Sequence, residues 1–179
     1  MVIEVEIRSF ISQEQYDRLL HEMPQKADDL GMEDQETWYF DSDQDLRIQK
    51  STTYAKVWLK KGKLHEHARE EIEIKTEPTC FGSLAQIFEA LGYQVKIKWF
   101  RHRNTFLHNG ITIMLDYTKG YGHIIEFEKI TTIEDKDAAM EELKTCMKKM
   151  NISLTPKEEF DEKYARYQQH WKELILENK

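Results

Sequence analysis

The chain has 179 residues, of which 40% are hydrophobic and 33% are charged, enough for one domain with a hydrophobic core. It contains no run of about 18 apolar residues that would form a transmembrane helix, and its first residues alternate charged with aliphatic side chains where a signal peptide would carry an apolar run. The net charge of -7 argues against general electrostatic attraction to nucleic acid or to an anionic membrane surface, so a bound anion requires a local cluster of basic side chains.

Eight segments alternate apolar and polar residues with a period of two, which is typical of β-strands that present two chemically different faces. The predicted strands span residues 2–10, 36–41, 45–50, 54–61, 68–75, 94–106, 110–118 and 121–130. Gly62, Gly110 and Gly120 lie in short connections, where glycine supplies the positive φ of a tight turn. We therefore expect most neighbouring strands to be antiparallel.

Four segments have the period of an amphipathic helix, at residues 12–23, 80–91, 134–150 and 157–178. Ser12 is placed to cap the first helix and Pro24 to end it, and Gly92 is placed to end the second. No linker, repeat or low-complexity stretch divides the sequence. The sequence therefore predicts one domain over residues 1–179 with an α+β fold, in which eight strands are segregated from four helices.

Charged residues recur on one face of the predicted strands. In the first strand Glu4, Glu6 and Arg8 share a face, and the aliphatic residues share the other. The set in the same phase has seven acids, Glu4, Glu6, Glu71, Glu73, Asp116, Glu126 and Glu128, and seven bases, Arg8, Arg47, Lys56, Lys60, Arg69, Arg101 and Arg103. One interpretation is a solvated face, as on ordinary antiparallel strands. The other is a shared interior, because like charges about 7 Å apart along a strand are tolerated more readily with cations between them.

An eight-stranded antiparallel β-barrel would provide that interior. Its polar, charged face would line a tunnel, and about four helices would cover the apolar outer face. Clustered carboxylates favour Mg²⁺ or Mn²⁺, while arginine and lysine side chains at several heights would hold phosphate oxygens. A polyphosphate bridged by metal ions satisfies both sets of side chains.

Several motifs follow one another in an order that points to a known superfamily. The chain opens with Glu4-Val5-Glu6-Ile7-Arg8 and continues with Lys60, Arg69-x-Glu71-x-Glu73, Arg101-x-Arg103 and Glu126-Phe127-Glu128. Together they resemble the CYTH superfamily, the triphosphate tunnel metalloenzymes, which include class IV adenylate cyclases, thiamine triphosphatases and inorganic triphosphatases. The resemblance implies a tunnel fold and metal-dependent attack on a triphosphate.

The resemblance also implies a role for each charged residue, with Mg²⁺ or Mn²⁺ as cofactor. The expected metal ligands are Glu4, Glu6, Glu126 and Glu128, with Glu71 and Glu73 helping to hold a second ion. The residues expected to bind the phosphates of the substrate are Arg8, Arg47, Lys56, Lys60, Arg69, Arg101 and Arg103. The candidate catalytic residues are Arg8 and Asp116, where Asp116 would orient a basic side chain or a metal-bound water.

Two positions depart from the pattern of the superfamily. Arg8 replaces the usual lysine of the opening motif, and because an arginine stays charged it cannot act in a step that requires deprotonation. Gln49 stands where a second arginine is frequent. Both departures are compatible with phosphate binding and bear on turnover and substrate choice.

One aromatic residue, Trp58, shares a face with Lys56 and Lys60 and has two interpretations. It would either stack on a ring of the substrate or pack in the core, as most aromatic residues of strands do.

The primary functional hypothesis is a metal-dependent enzyme that hydrolyses inorganic triphosphate or an organic one, such as thiamine triphosphate or a nucleoside triphosphate. The alternatives are an adenylate cyclase that makes cyclic AMP and pyrophosphate, a non-catalytic polyphosphate- or nucleotide-binding module, and a structural domain. The expected partner is a small-molecule triphosphate, not nucleic acid or a membrane, and the chain is expected to be a monomer or homodimer. Cys80 and Cys146 lack paired spacing, so we expect a cytoplasmic location with reduced thiols.

Overall fold

The structure, a computed structural model, describes residues 2–60 and 71–176. In this part of the chain one antiparallel sheet contains β1 (Val2–Ile11), β2 (Asp28–Phe40), β3 (Asp45–Lys50), β4 (Ala55–Lys60), β5 (Glu71–Thr76), β6 (Val95–His108), β7 (Ile111–Thr118) and β8 (Gly122–Thr132). The helices are α1 (Gln13–Glu22), α2 (Phe81–Ala90), α3 (Lys136–Lys149) and α4 (Lys157–Leu174). None of these helices is long and apolar enough to cross a membrane. The elements confirm the predicted α+β fold.

The start of α1 follows from its first four residues. Ser12 Oγ accepts a hydrogen bond from the backbone N–H of Gln15 at 3.1 Å, and Gln15 Oε1 accepts one from the backbone N–H of Ser12 at 2.9 Å. This reciprocal pair satisfies two of the backbone donors that a helix N-terminus leaves unpaired. The predicted cap is confirmed.

β2 is the strand whose bounds differ most from the prediction. It begins at Asp28 instead of residue 36, and its first half has exposed Leu30 and Met32 in place of a buried alternating face. This half is held by pairing with β6, beginning with Asp28 opposite Leu107. A pairing with a distant strand, and not local periodicity, therefore makes this segment a strand.

The sheet is open at its edges. The strand order β1-β8-β7-β6-β2-β3-β4-β5 leaves β1 and β5 at the two ends, and the described residues form no ladder between them. This differs from the predicted closed barrel, because closure needs a further ladder between β1 and β5, which residues 2–60 and 71–176 do not form. The predicted strand start at residue 68 and Arg69 lie outside the described residues.

Helices cover the apolar outer face of the sheet. α1 and α3 pack over β1, β6, β7 and β8, where Val5, Ile113, Phe127 and Leu143 are at most 1% exposed. A second cluster places α2 over β2, β3 and β4. Because the apolar residues face outward into these layers, the polar face of the sheet is left to face inward, as the alternation predicted.

α4 lies across one end of the inward face. Its Phe160 and Tyr164 line the polar cavity, and Tyr167 Oη donates a hydrogen bond to the carbonyl of Lys98 at 2.9 Å. The end of α4 packs on the β7–β8 turn at Gly120, where the backbone has a φ of +74°. A Cβ atom at Gly120 would lie 2.7 Å from Cβ of Leu174 and 2.9 Å from its carbonyl carbon. Only glycine allows this approach.

Gly120→Ala is expected to lower the free energy of unfolding by about 2–5 kcal/mol, because it adds a crowded methyl group to a left-handed residue. Gly92→Ala is the matched control, since Gly92 has a φ of +92° but its Cβ would meet no described atom within 4 Å. We expect the control to cost about 1–2 kcal/mol. Urea denaturation measures both losses, and equal losses would contradict close packing of α4 on this turn.

Candidate functional site

One polar cavity of about 530 Å³ lies inside the curled sheet, and all eight strands and α4 contribute to its wall. The predicted site residues whose side chains the structure describes all lie on this wall: Glu4, Glu6, Arg8, Arg47, Lys56, Lys60, Glu73, Arg101, Arg103, Asp116, Glu126 and Glu128. Arg69 and the side chain of Glu71 lie outside the described residues. The period-two pattern thus correctly placed this charged set, and the roles of its members stay predictions.

β1 and β8 bring together the glutamate cluster, which consists of Glu4, Glu6, Glu126 and Glu128. The register places Glu6 opposite Glu128 and Arg8 opposite Glu126. Burial, reinforced by the charge of Glu126 and opposed by Arg8 and Lys60, raises the pKa of Glu6 to about 7. Burial and the charges of the other three glutamates raise the pKa of Glu128 to about 7. Burial and the neighbouring carboxylates therefore disfavour the charged forms of Glu6 and Glu128.

The carboxylate oxygens of the glutamate cluster are the type of ligand that a divalent cation prefers. Carboxylate oxygens are preferred ligands of Mg²⁺ and Mn²⁺, and a cation would offset the repulsion between the glutamates. Over residues 2–60 and 71–176, no three acidic, histidine or cysteine side chains are grouped closely enough to hold a metal ion. Glu126 instead accepts a hydrogen bond from Arg103 Nη2 at 3.0 Å. Holding a cation therefore requires these side chains to rearrange.

A second group of charges is paired around Asp116, which is 2% exposed. Arg103 donates to Asp116 through Nε at 2.8 Å and through Nη2 at 2.6 Å, and Arg101 donates through Nη1 at 3.1 Å. The β6–β7 register places Arg103 directly opposite Asp116. Burial by itself would raise the pKa of Asp116, but the two guanidinium groups outweigh it and lower the pKa. Asp116 therefore fixes the orientation of both arginines.

Two other basic residues predicted to bind phosphate are also paired with acids. Arg47 donates to Asp45 through Nε at 2.6 Å and through Nη2 at 2.5 Å, and Lys56 donates to Glu73 at 2.6 Å. Sequence reasoning missed Asp45, although its position two residues before Arg47 on one strand puts both on the same face. A phosphate that binds these cations must compete with carboxylates for them.

An uncharged hydrogen-bonded group connects Gln49 to Arg101. Gln49 Nε2 donates to Thr37 Oγ1 at 3.0 Å and to Gln35 Oε1 at 3.3 Å. Gln35 Oε1 also accepts from Arg101 Nε at 3.0 Å. Sequence reasoning missed Gln35 because it precedes the predicted start of β2, and it did not single out Thr37. Gln49 thus helps to position Arg101 through Gln35, without adding a charge of its own.

Aromatic side chains complete the cavity wall: Tyr39, Tyr54, Trp58, Trp99, Tyr121, Phe160 and Tyr164. Trp58 is only 5% exposed and yet lines the cavity, so it combines tight packing with a position beside any ligand. In the described part of the chain, Trp58 Nε1 and Thr118 Oγ1 are buried polar atoms without a hydrogen-bond partner. Both belong to residues of the cavity wall.

A curled antiparallel sheet around a charged cavity is the architecture of a tunnel domain. The family model for the CYTH domain matches residues 2–164. The chain therefore belongs to the CYTH domain family, as its motifs predicted. The family includes enzymes, and its members are generally metal-dependent.

Relatives of known name or structure extend this assignment. A Methanocaldococcus jannaschii protein, provisionally named an adenylate cyclase, is 32% identical over 116 residues, which cover 63% of this chain and 65% of that protein. The chain thus spans less than two thirds of the length of this curated relative. A conserved hypothetical protein from Pyrococcus furiosus has a TM-score of 0.70 at 23% identity, over 84% of this chain and 91% of its own. A Hippeastrum protein, provisionally described as an adenylyl cyclase with a dominant triphosphatase activity, has a TM-score of 0.61 at 20% identity, over 88% of this chain and 93% of its own.

Asp116→Asn is expected to lower the free energy of unfolding by about 3–5 kcal/mol, because two partly buried guanidinium groups lose the buried carboxylate that they share. Asp34→Asn is the matched control. Asp34 pairs with His102 at 2.8 Å, but its side chain is 77% exposed, so the expected loss is below about 1 kcal/mol. Urea denaturation at pH 7 compares the variants, and a loss at Asp116 as small as the control's would contradict the buried pairing.

In the metal-free protein, the glutamate cluster is expected to make stability fall as pH rises. The pKa of Glu128 in the folded state is about 7, above its ordinary value of 4.5. Between these two values the folded state therefore binds more protons than the unfolded state, and the free energy of unfolding decreases as pH rises. Above pH 7 this destabilisation reaches its full size.

Glu128→Gln removes the destabilisation that the ionised Glu128 carboxylate causes at high pH. In buffer with a chelator, we expect the variant to have a higher Tm than the wild-type protein at pH 8 and a smaller difference near pH 4.5. Thermal unfolding monitored by circular dichroism checks this, and a lower Tm for the variant at pH 8 would contradict the raised pKa.

Proposed function

We propose that the protein is a metal-dependent hydrolase of triphosphates, acting on tripolyphosphate or on a small organic triphosphate inside the cavity. The observation that carries the proposal is that one cavity holds both the glutamate cluster and a set of bases that includes Arg101 and Arg103. The phosphates of the ligand complement the bases, and its accompanying divalent cations complement the glutamates. A triphosphate with its cations therefore neutralises both sets at once.

In the proposed reaction, the oxygen of a water molecule forms a bond to the terminal phosphorus while the bridging P–O bond breaks and a proton passes to solvent. Tripolyphosphate and water thus yield pyrophosphate and orthophosphate. A divalent cation held by Glu4, Glu6, Glu126 and Glu128 would reduce the charge on the phosphate oxygens and stabilise the leaving group. Arg101 and Arg103 bind phosphate oxygens in orientations that Asp116 sets. Arg8, opposite Glu126 on the neighbouring strand, would contribute positive charge to the cavity wall.

Adenylate cyclase is the second candidate, supported by the name of the Methanocaldococcus jannaschii relative. In that reaction the ribose 3′ hydroxyl attacks the α-phosphorus of ATP and pyrophosphate leaves. Hydrolysis ranks first because the Hippeastrum relative is described with a dominant triphosphatase activity. Both reactions use the same complementarity between the cavity and a triphosphate.

Orthophosphate release from tripolyphosphate, thiamine triphosphate and ATP, with Mg²⁺ or Mn²⁺, tests the proposal. The wild-type protein is expected to release orthophosphate, and Glu126→Gln is expected to reduce the rate by roughly 10²-fold because the site loses a charged oxygen ligand. The matched control is Glu134→Gln, an exposed carboxylate between β8 and α3, which is expected to keep the wild-type rate.

Other outcomes separate the alternatives. Cyclic AMP and pyrophosphate from ATP, without orthophosphate, would establish the cyclase, and binding without any product would favour a non-catalytic module. A wild-type rate in Glu126→Gln would contradict its assignment as a metal ligand.

A further inference from the structure

Aromatic and cationic side chains alternate across three neighbouring strands of the cavity wall. The order is Tyr39 on β2, Arg47 on β3, then Trp58 and Lys56 on β4, and all four line the cavity. The Arg47 Cζ atom lies 4.2 Å from the Tyr39 ring centroid and 5.5 Å from that of Trp58. Lys56 Nζ lies 4.3 Å from the Trp58 centroid. One indole ring therefore contacts two cations that face the same cavity.

The strand register produces this arrangement. Arg47 is directly opposite Tyr39 on one side and Trp58 on the other, and Lys56 precedes Trp58 by two residues and so shares its face. Asp45 and Glu73 each hold one of the two cations by a hydrogen bond. These carboxylates offset the repulsion between Arg47 and Lys56, which allows both to contact one ring.

Hydrogen bonding within the part of the chain that the structure describes does not account for the position of Trp58. Its Nε1–H donor is buried without an acceptor among the described residues, which is a costly arrangement for a donor. The tryptophan on the outer face behaves differently: Trp38 Nε1 donates to Glu36 at 2.7 Å, and Lys98 Nζ lies 3.6 Å from the Trp38 ring centroid. Both tryptophans contact a cation, but only the ring of Trp58 does so inside the cavity.

We propose that Trp58 is a positioning residue that holds Arg47 and Lys56 side by side for a ligand with at least two linked phosphate groups. The inference rests on the proposed function and specifies how that site selects its ligand. A ligand with two linked phosphates gains from both cations at once, whereas a single orthophosphate gains from one. Trp58 therefore favours polyphosphates over orthophosphate by fixing its neighbours, without itself being a catalytic residue.

Calorimetric titration with ligands that resist hydrolysis tests the proposal. The probes are a methylene-bridged tripolyphosphate analogue, methylenediphosphonate and orthophosphate, each with Mg²⁺. Trp58→Leu is expected to weaken binding of the first two by roughly 5- to 20-fold and of orthophosphate by less than about twofold, because two oriented cations are lost only to a linked ligand. Trp58→Phe keeps an aromatic face and is expected to restore affinity to within about threefold of the wild-type protein.

Trp38→Leu is the matched control, because it removes the same kind of cation–aromatic contact from the outer face of the sheet. It is expected to change thermal stability and to leave all three affinities unchanged. A second measurement applies even where Trp58→Leu fails to fold. The indole N–H resonances of ¹⁵N-labelled wild-type protein, assigned with Trp58→Phe and Trp38→Phe, are expected to show a shift for Trp58 and none for Trp38 when the tripolyphosphate analogue binds.

Unchanged affinity in Trp58→Leu, equal weakening of all three probes, or an unmoved Trp58 resonance would overturn the positioning role and leave the proposed hydrolase intact. Failure of the wild-type protein to bind the analogue would overturn both proposals. Binding of the analogue with the expected Trp58 effects, but without hydrolysis of any triphosphate, would support the positioning role and overturn the hydrolase.

Discussion

Neutralisation of charge inside the curled sheet is the constraint on which the rest of the structure depends. A buried charge is costly unless an opposite charge and hydrogen bonds accompany it. Asp116 meets this condition by accepting hydrogen bonds from Arg101 and Arg103. On the β1–β8 side, Glu126 accepts a hydrogen bond from Arg103, but burial and neighbouring carboxylates still raise the pKa values of Glu6 and Glu128 to about 7. The charged form of glutamate is thus disfavoured on one side of the cavity, whereas the two arginines stabilise the carboxylate of Asp116 on the other.

The helices make this interior possible because they bury the apolar face of the sheet from outside. In an ordinary small barrel the interior is filled by apolar side chains, whereas here Ile113 and Phe127 point outward beneath α1 and α3. α4 differs from the helices that only cover the outer face of the sheet. Its Tyr167 packs in a hydrophobic cluster while its Phe160 and Tyr164 line the cavity. One helix therefore contributes to both core and site, and its contact with the turn at Gly120 couples fold stability to the cavity wall.

Local periodicity was sufficient to place the predicted charged side chains that the structure describes on the cavity wall, although it missed Gln35 and Thr37. In β8, for example, Glu126 and Glu128 line the cavity while Phe127 is fully buried on the opposite face. Periodicity does not determine which strands become neighbours, so the opposition of Glu6 and Glu128 could not be predicted from either strand alone. The raised pKa values, which come from burial first and from neighbouring carboxylates second, could not be predicted either. For the same reason, periodicity did not predict the first half of β2, which is a strand because it pairs with β6. It also did not predict that β1 and β5 lie at the two ends of the strand order.

The two residues that depart from the superfamily pattern, Arg8 and Gln49, both line the cavity. Gln49 adds no charge, yet through Gln35 it supports Arg101 in the wall. Arg8 lies opposite Glu126 on the neighbouring strand, and its guanidinium lies 5.0 Å from the Phe160 ring centroid, a contact that suits a planar cation. Arginine keeps its positive charge across the physiological pH range, whereas glutamates with a raised pKa do not. Mild changes of pH therefore act on this cavity through Glu6 and Glu128, the two glutamates with raised pKa values.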